Sequence, residues 1–360
     1  MSNPKTIHLV IFGIGNVGST LINQINASKQ RLKEQLNLTV EIPVVTNSKL
    51  VFFNGNKDTH TWETNFEKFS VPFNVTEIIQ YIKEQHYKHV IAIDATSGED
   101  LVKSYVSLIE NGFHIVSANK LANTLHYDFY ERLRLSLKKH NRSFLYETNV
   151  GAGLPIIETI KQLYDSGEQI EKIRGVFSGS LSYVFNRFSA ENEPFSKVLS
   201  KASNLGLTEP DARDDLSGHD VARKLLILAR ELDLNVEFQN VKIESLVPKQ
   251  LNGKTTLHQF KTRIKELDQP FLKRKQALSQ CEVLRYVGEL NVAKKVLEVK
   301  LISEDKQSAL GQLKGADSIF EIFTKSYGEQ PLVIQGAGAG KAVTARGLLS
   351  DVVKLSKHLN

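Results

Sequence analysis

The chain has one cysteine, one methionine and one tryptophan among 360 residues. A lone cysteine, Cys281, excludes an internal disulfide, and without cysteine clusters there is no thiolate zinc site, so a reducing compartment fits best. Cys281 sits at the edge of a strand pattern, Val283-Leu284-Arg285-Tyr286-Val287, with no motif around it, and is expected to be a packed thiol. No stretch approaches the roughly 20 apolar residues of a membrane span. The start, MSNPKTIHLVIF, runs into a strand pattern without the charged and apolar segments of a removable signal. The net charge is +6, yet the basic residues are dispersed among acids and form no run with interleaved aromatics. That charge suits solvation and attraction of anionic small molecules, not a nucleic-acid partner. Internal repeats and low-complexity segments are also lacking. What is present is an ordinary globular composition, 41% hydrophobic and 24% charged, at a length that suggests two domains. A soluble cytoplasmic chain is expected.

The apolar run Ile7, Leu9, Val10, Ile11 and Phe12 ends in Gly13-Ile14-Gly15-Asn16-Val17-Gly18, after which Leu21, Ile22 and Ile25 continue at helical spacing. Strand, glycine turn and helix in this order are the context a dinucleotide fingerprint requires. Gly13 permits the tight turn, Gly15 lets the backbone approach a pyrophosphate, and Gly18 lets the helix lie close to the strand. The second strand, Val40 to Thr46, should deliver the residue that reads the adenosine ribose. A carboxylate there would select NAD, but the sequence continues Asn47-Ser48-Lys49. Hydroxyl, amide and ammonium donors suit the 2′-phosphate of NADP, with NAD use still open. Lys49 would equally serve as a solvated loop residue.

Further strands at Val90 to Asp94 and His114 to Ser117, each followed by a helical segment (Glu99 to Asn111, Tyr127 to His140), imply a parallel sheet covered by helices, a Rossmann-type α/β domain. Ligands of such sheets sit beyond the carboxyl ends of the strands, here at Thr96-Ser97 and Asn119-Lys120. Thr96 would also serve as a helix cap and Lys120 as a surface lysine. Strand Phe144 to Tyr146 leads into Glu147-Thr148-Asn149-Val150-Gly151-Ala152-Gly153-Leu154-Pro155, a hinge-like loop by its glycines and proline. Beyond it, strand patterns at Ile173 to Phe177, Val241 to Val247, Val283 to Leu290, Lys295 to Ile302 and Gln330 to Ile334, with helices at Leu181 to Ala190 and Asp220 to Leu232, fit an α+β domain. The expected division is 1–150, completed by a returning segment 336–360 with Gly340 and a helix from Val343 to His358, and 151–335.

The run from Gly206 to Lys224, GLTEPDARDDLSGHDVARK, is the most informative. Glu209, Asp211, Asp214 and Asp215 precede a helix in which Asp220 and Lys224 stand four residues apart on one face, in the favourable order for an ion pair. Such pairs are common on solvated faces. Leu225 to Ala229, however, make the helix apolar nearly all round, and a lysine entering a buried helix beside a carboxylate is a candidate for proton transfer.

This run resembles the signature of homoserine dehydrogenases, and the resemblance extends across the chain. It includes the glycine loop, Ser117 to Ala122 (SANKLA), Tyr146 to Pro155 (YETNVGAGLP), Phe177 to Asn186 (FSGSLSYVFN) and Gln335 to Gly347 (QGAGAGKAVTARG). The nearest likeness is to the dehydrogenase half of bifunctional aspartate kinase-homoserine dehydrogenases. The resemblance implies reversible reduction of L-aspartate 4-semialdehyde to L-homoserine with NAD(P)H, in threonine and methionine biosynthesis, by a homodimer. It assigns catalysis to Lys224, Asp220 and Lys120, and substrate binding to Glu209, Asp214, Lys120 and Lys224. Thr96, Asn119, Lys120 and Gly340 fall to the cofactor, beside the glycine loop, Asn47, Ser48, Lys49 and Ser97. A monovalent cation such as Na+ would be held by Glu147 and the carbonyls of Val150, Ala152 and Leu154, although the residues alone also read as a tight loop. The second domain would carry substrate and dimer contacts. One departure is Leu207, where many members place a tyrosine. A stand-alone enzyme without a built-in threonine site is expected.

Competing chemistries lack their residues. An acyl-enzyme dehydrogenase needs a cysteine nucleophile in context, a zinc alcohol dehydrogenase needs several Cys and His ligands, and no tyrosine has a lysine four residues on. The alternative outside enzymes is a catalytically inactive NAD(P)-sensing regulator, against which Asp220, Lys224 and Glu209 argue.

Overall fold

A computed structural model describes residues 4–55, 61–253 and 255–359. The chain divides into two compact units, residues 1–153 with 340–360, and residues 154–339.

The first unit is built on a seven-stranded sheet in the order β4-β3-β2-β1-β5-β6-β7. Its strands are β1 (Lys5–Phe12), β2 (Leu38–Thr46), β3 (Leu50–Phe53), β4 (Val71–Pro72), β5 (Val90–Asp94), β6 (His114–Ser117) and β7 (Phe144–Leu145). Strands β2, β1, β5, β6 and β7 pair in parallel, while β3 and β4 add an antiparallel edge. A parallel strand covered on both faces reads as a continuous apolar run, and β1 is buried from Ile7 to Phe12. Ile7, Leu9 and Ile11 pack with Leu21, Ile22 and Ile25 of helix Asn16–Leu36 and with Ala345, Leu348, Leu349, Val352 and Leu355 of the final helix, Lys341–Ser356. The returning segment thus completes this core.

The second unit is a six-stranded sheet in the order β13-β12-β8-β10-β11-β9. It comprises β8 (Ile170–Val176), β9 (Lys242–Ile243), β10 (Glu282–Asn291), β11 (Val296–Asp305), β12 (Ser318–Thr324) and β13 (Leu332–Gly336). Every pairing is antiparallel except β9 with β11. Helices Gly179–Ala190 and His219–Arg230 pack against β10.

Several sequence expectations change. The helix expected over Glu99–Asn111 is two pieces, Asp100–Lys103 and Tyr105–Glu110, because at Ser104 the amide bonds to Leu101 O in a tightened turn. The strand expected over Val241–Val247 stops at Ile243, since the Leu246 amide leaves the sheet for Leu216 O. Strand β12 carries no expectation at all: its buried Glu321 hides the apolar pattern, and Arg174 of β8 pairs with it at 2.6 Å. Cys281 is exposed, in the turn before β10, and is not a packed thiol.

Gly175 of β8 lies between Gly288 and Phe320 of the neighbouring strands. A Cβ there would stand 2.0 Å from Ile319 O and 2.7 Å from the Phe177 ring. Gly175→Ala is therefore expected to lower stability by about 1–3 kcal/mol, the range for overpacking, read by urea denaturation; an unchanged midpoint would contradict this packing.

Candidate active site

In the first unit, β1 delivers the chain into Gly13, whose φ of +92° few side chains tolerate. A Cβ on Gly13 would come within 2.9 Å of Ala95 O and 3.0 Å of Thr96 Cγ2, and one on Gly18 within 1.8 Å of Gly13 O. Two backbone approaches that tight admit glycine alone. Gly15 is the extended N-cap of helix Asn16–Leu36 and offers no side chain, and a Cβ there would meet nothing within 4 Å. Ile14 and Val17 pack against the core while Asn16 is exposed, so the first amides of a 21-residue helix face an open cradle. That cradle fits a pyrophosphate, which binds helix N-termini through unpaired N–H groups and the helix dipole.

At the end of β2 the Asn47 side chain folds back, its Oδ1 accepting from the amides of Lys49 (2.8 Å) and Leu50 (2.7 Å). Ser48 and Lys49 are exposed. At the end of β5, the Asp94 carboxylate accepts from the Thr96 amide (2.7 Å) and the Tyr105 hydroxyl (2.7 Å). Asn119, buried after β6, donates from Nδ2 to Gly98 O (2.7 Å), Asp94 Oδ2 (3.2 Å) and Thr96 Oγ1 (3.3 Å). The structure thus brings Gly13, Thr96 and Asn119 together. Ser97 is exposed, and Lys120 is half-buried at the start of the short helix Leu121–Thr124.

The loop after β7 starts with the turn Glu147–Asn149, fixed by the Glu147 amide on Asp351 Oδ2 (3.0 Å) and by Asn149 Nδ2 on Ser117 O (2.9 Å). Val150 and Ala152 are buried, and Gly151 (φ +79°) and Ala152 (φ +53°) take left-handed backbones in succession. Glu147, Val150 and Ala152 belong to the first unit; Leu154 opens the second. Gly340, at φ +115°, begins the final helix as its exposed N-cap.

In the second unit, helix His219–Arg230 starts at Gly218, where a Cβ would meet Tyr286 Oη at 2.1 Å. The helix therefore lies close on β10. Only 8% of Lys224 is exposed, and its Nζ pairs with Asp220 Oδ2 at 2.8 Å and donates to Phe177 O at 2.7 Å. An ammonium has three N–H donors. Among the described residues two are committed, and a third could meet an oxygen acceptor. Phe177 O belongs to the segment between β8 and helix Gly179–Ala190, so the FSGSL and DVARK motifs meet at this nitrogen.

Asp215 is the site residue whose role the sequence analysis left unassigned. Its Oδ1 accepts from Ser180 Oγ (2.5 Å) and its Oδ2 from the Glu209 amide (2.8 Å). Burial raises its carboxyl above the ordinary carboxylate range, the Asp220 and Asp214 charges push in the same direction, and the two hydrogen bonds oppose them. The carboxylate thus ties the Glu209 backbone to the helix bearing Ser180. Asp211 has a structural post: it caps helix Ala212–Leu216 and pairs with Arg213, which holds its carboxyl below the usual range. Glu209 and Asp214 are exposed. The signal for Asp215 was its pairing with Asp214 six residues past Glu209; nothing local separates the roles of the two acids.

The family model "Homoserine dehydrogenase, NAD binding domain" matches residues 13–147 and "Homoserine dehydrogenase" matches 155–353. The bifunctional aspartokinase/homoserine dehydrogenase of Buchnera aphidicola is 40% identical over 98% of this chain, which spans 43% of that protein. A homoserine dehydrogenase of Paracoccidioides brasiliensis is 35% identical over 99% of both chains. Among solved structures, a Candida auris protein of unknown function superposes with a TM-score of 0.90 at 34% identity, covering 99% of both chains. A hyperthermophilic archaeal homoserine dehydrogenase in complex with NADPH shares the fold, with a TM-score of 0.74 at 20% identity over 99% of each chain. The chain belongs to the homoserine dehydrogenase family.

Proposed function

We propose that this protein reversibly reduces L-aspartate 4-semialdehyde to L-homoserine with a nicotinamide cofactor, NADP in preference to NAD. The observation that carries the reading is the buried Lys224 ammonium, held by Asp220 and Phe177 O with one N–H uncommitted among the described residues. When bound, the reduced nicotinamide supplies a hydride to the aldehyde carbon. The carbonyl oxygen then needs a proton, and Lys224 Nζ donates it; in the oxidative direction the same nitrogen receives the proton of the hydroxyl. Asp220 orients the ammonium. A carboxylate at Glu209 suits the substrate's α-ammonium, with Asp214 beside it and Asp215 fixing the Glu209 backbone. Lys120 is assigned to the α-carboxylate or the carbonyl. The Asp220–Lys224 pair argues against a sensing role without chemistry.

The glycine cradle from Gly13 to Gly18 fits the pyrophosphate, with Thr96, Ser97 and Asn119 toward the nicotinamide and Gly340 beside the cofactor. Asn47, Ser48 and Lys49 fit a 2′-phosphate, a reading supported by the NADPH bound to the archaeal relative. Glu147 with the carbonyls of Val150, Ala152 and Leu154 offers the hard oxygen donors a monovalent cation prefers, in a loop whose left-handed turn at Gly151 and Ala152 redirects its carbonyls. That cation would brace the loop, and no proton or hydride passes through it. Family likeness further supports a homodimer, held by the second unit. Among the described residues no helix is long and apolar enough to cross a membrane.

Lys224→Ala should lower turnover by about two to four decades with cofactor binding retained, as for loss of a general acid; near-normal steady-state turnover would remove Lys224 from the mechanism. Glu209→Gln keeps shape and removes charge, so homoserine affinity should weaken by about 1.5–3 kcal/mol. A homoserine KM that stays put while the NADP KM rises would contradict that role. Lys49→Glu puts a negative charge beside the proposed 2′-phosphate and should weaken NADP but spare NAD, with the loss shrinking in high salt. Equal losses for both cofactors, or none, would show that Lys49 does not read the ribose.

A further inference from the structure

One buried carboxylate has no part in the proposed chemistry. Asp94 ends β5 and is 1% exposed. Among the described residues its hydrogen-bond partners are neutral: the Thr96 amide at 2.7 Å on Oδ1, and the Tyr105 hydroxyl at 2.7 Å and Asn119 Nδ2 at 3.2 Å on Oδ2. Burial raises its carboxyl above the ordinary range and these hydrogen bonds pull it back. A buried carboxylate without a cation is costly unless its oxygens are saturated with donors. Here donors from three separate segments converge on it.

Those segments are the ones that border the proposed nicotinamide site. Thr96 and Gly98 lie in the turn after β5, and Asn119 in the turn after β6. Asn119 Nδ2 spans Asp94, Thr96 Oγ1 and Gly98 O, and its Oδ1 accepts from the Leu121 amide at 3.0 Å. Tyr105, itself buried, lies 2.9 Å from Ser117 Oγ, which in turn accepts from the Asn119 amide at 2.9 Å. The Thr96 methyl borders the space above Gly13. An asparagine at 94 could not replace the acid, because it would aim N–H donors at donors.

We infer that Asp94 is a positioning residue for the nicotinamide half of the cofactor, an acceptor that locks the Thr96–Gly98 turn and the Asn119 side chain into one arrangement with Tyr105 as its support. This rests on the reading that Thr96 and Asn119 border the nicotinamide. Asp94 touches neither cofactor nor substrate; it acts through those two residues.

The test compares two probes, NADP and adenosine 2′,5′-bisphosphate, which lacks the nicotinamide, by calorimetry on the full chain. Asp94→Asn should weaken NADP about tenfold and Tyr105→Phe less, in the same direction, while the bisphosphate binds both variants as it binds the wild type. The kcat for homoserine oxidation should fall with them, since the ring loses its attack geometry. Equal loss of both probes would make the role merely structural, and wild-type NADP affinity in both variants would also overturn the inference. Should Asp94→Asn not fold, Tyr105→Phe decides alone, because it removes one hydroxyl and keeps the ring. Asn119→Ala separates the two levels: if it weakens NADP while Asp94→Asn and Tyr105→Phe do not, only the inference fails, and if it too leaves NADP binding unchanged, the cofactor reading falls and the inference with it.

Discussion

An ammonium taken out of water must be given partners, and the second unit is arranged to give Lys224 two. Asp220 stands one helical turn earlier, and Phe177 supplies a carbonyl from the segment where β8 ends. To bring that carbonyl within reach, helix His219–Arg230 has to lie close on the sheet. Gly218 and Gly288 permit it: side chains there would strike Tyr286 and Phe177. The stacked Phe177 and Phe320 rings, centroids 4.6 Å apart, fix the far side of the same segment. Removing Asp220 would leave a buried charge with half its compensation, the situation in which buried ion pairs matter most. Specific geometry is thus bound to the folding of the unit.

The first unit solves a different problem with the same economy of side chains. A dinucleotide is held largely by backbone, so the loop from Gly13 to Gly18 needs room more than functional groups. What side chains do there is shape the neighbouring turns. Asp94, Asn119 and Tyr105 form a buried polar network whose members satisfy one another, the condition under which such networks give rigidity instead of instability.

Much of this was legible in the residues. Strands Val90–Asp94 and His114–Ser117 and helix Tyr127–His140 follow the apolar pattern, because continuous burial and amphipathic spacing leave unambiguous marks. The Asp220–Lys224 pair was readable as i,i+4 geometry, and its burial as an apolar run. Long-range choices were not. Nothing around Glu321 announces that Arg174, far away in sequence, makes β12 a central strand. Likewise Asp215 and Asp214 are equivalent in sequence, and only Ser180 and the Glu209 amide separate them. Asp94 entered only as the last residue of an expected strand, and Cys281, at the edge of another, was expected to be packed but is exposed. For Glu321, Asp215 and Asp94 a deciding partner, Arg174, Ser180 or Asn119, lies outside the window over which local periodicity speaks.

The proposed function requires that the protein interconvert one small amino alcohol and its aldehyde with a nicotinamide cofactor. The most direct measurement is the rise of reduced-nicotinamide absorbance when L-homoserine is added to the protein with NADP, and in parallel with NAD at matched concentration. The account predicts homoserine-dependent reduction, faster with NADP. No reduction with either cofactor, while both still bind, would contradict it.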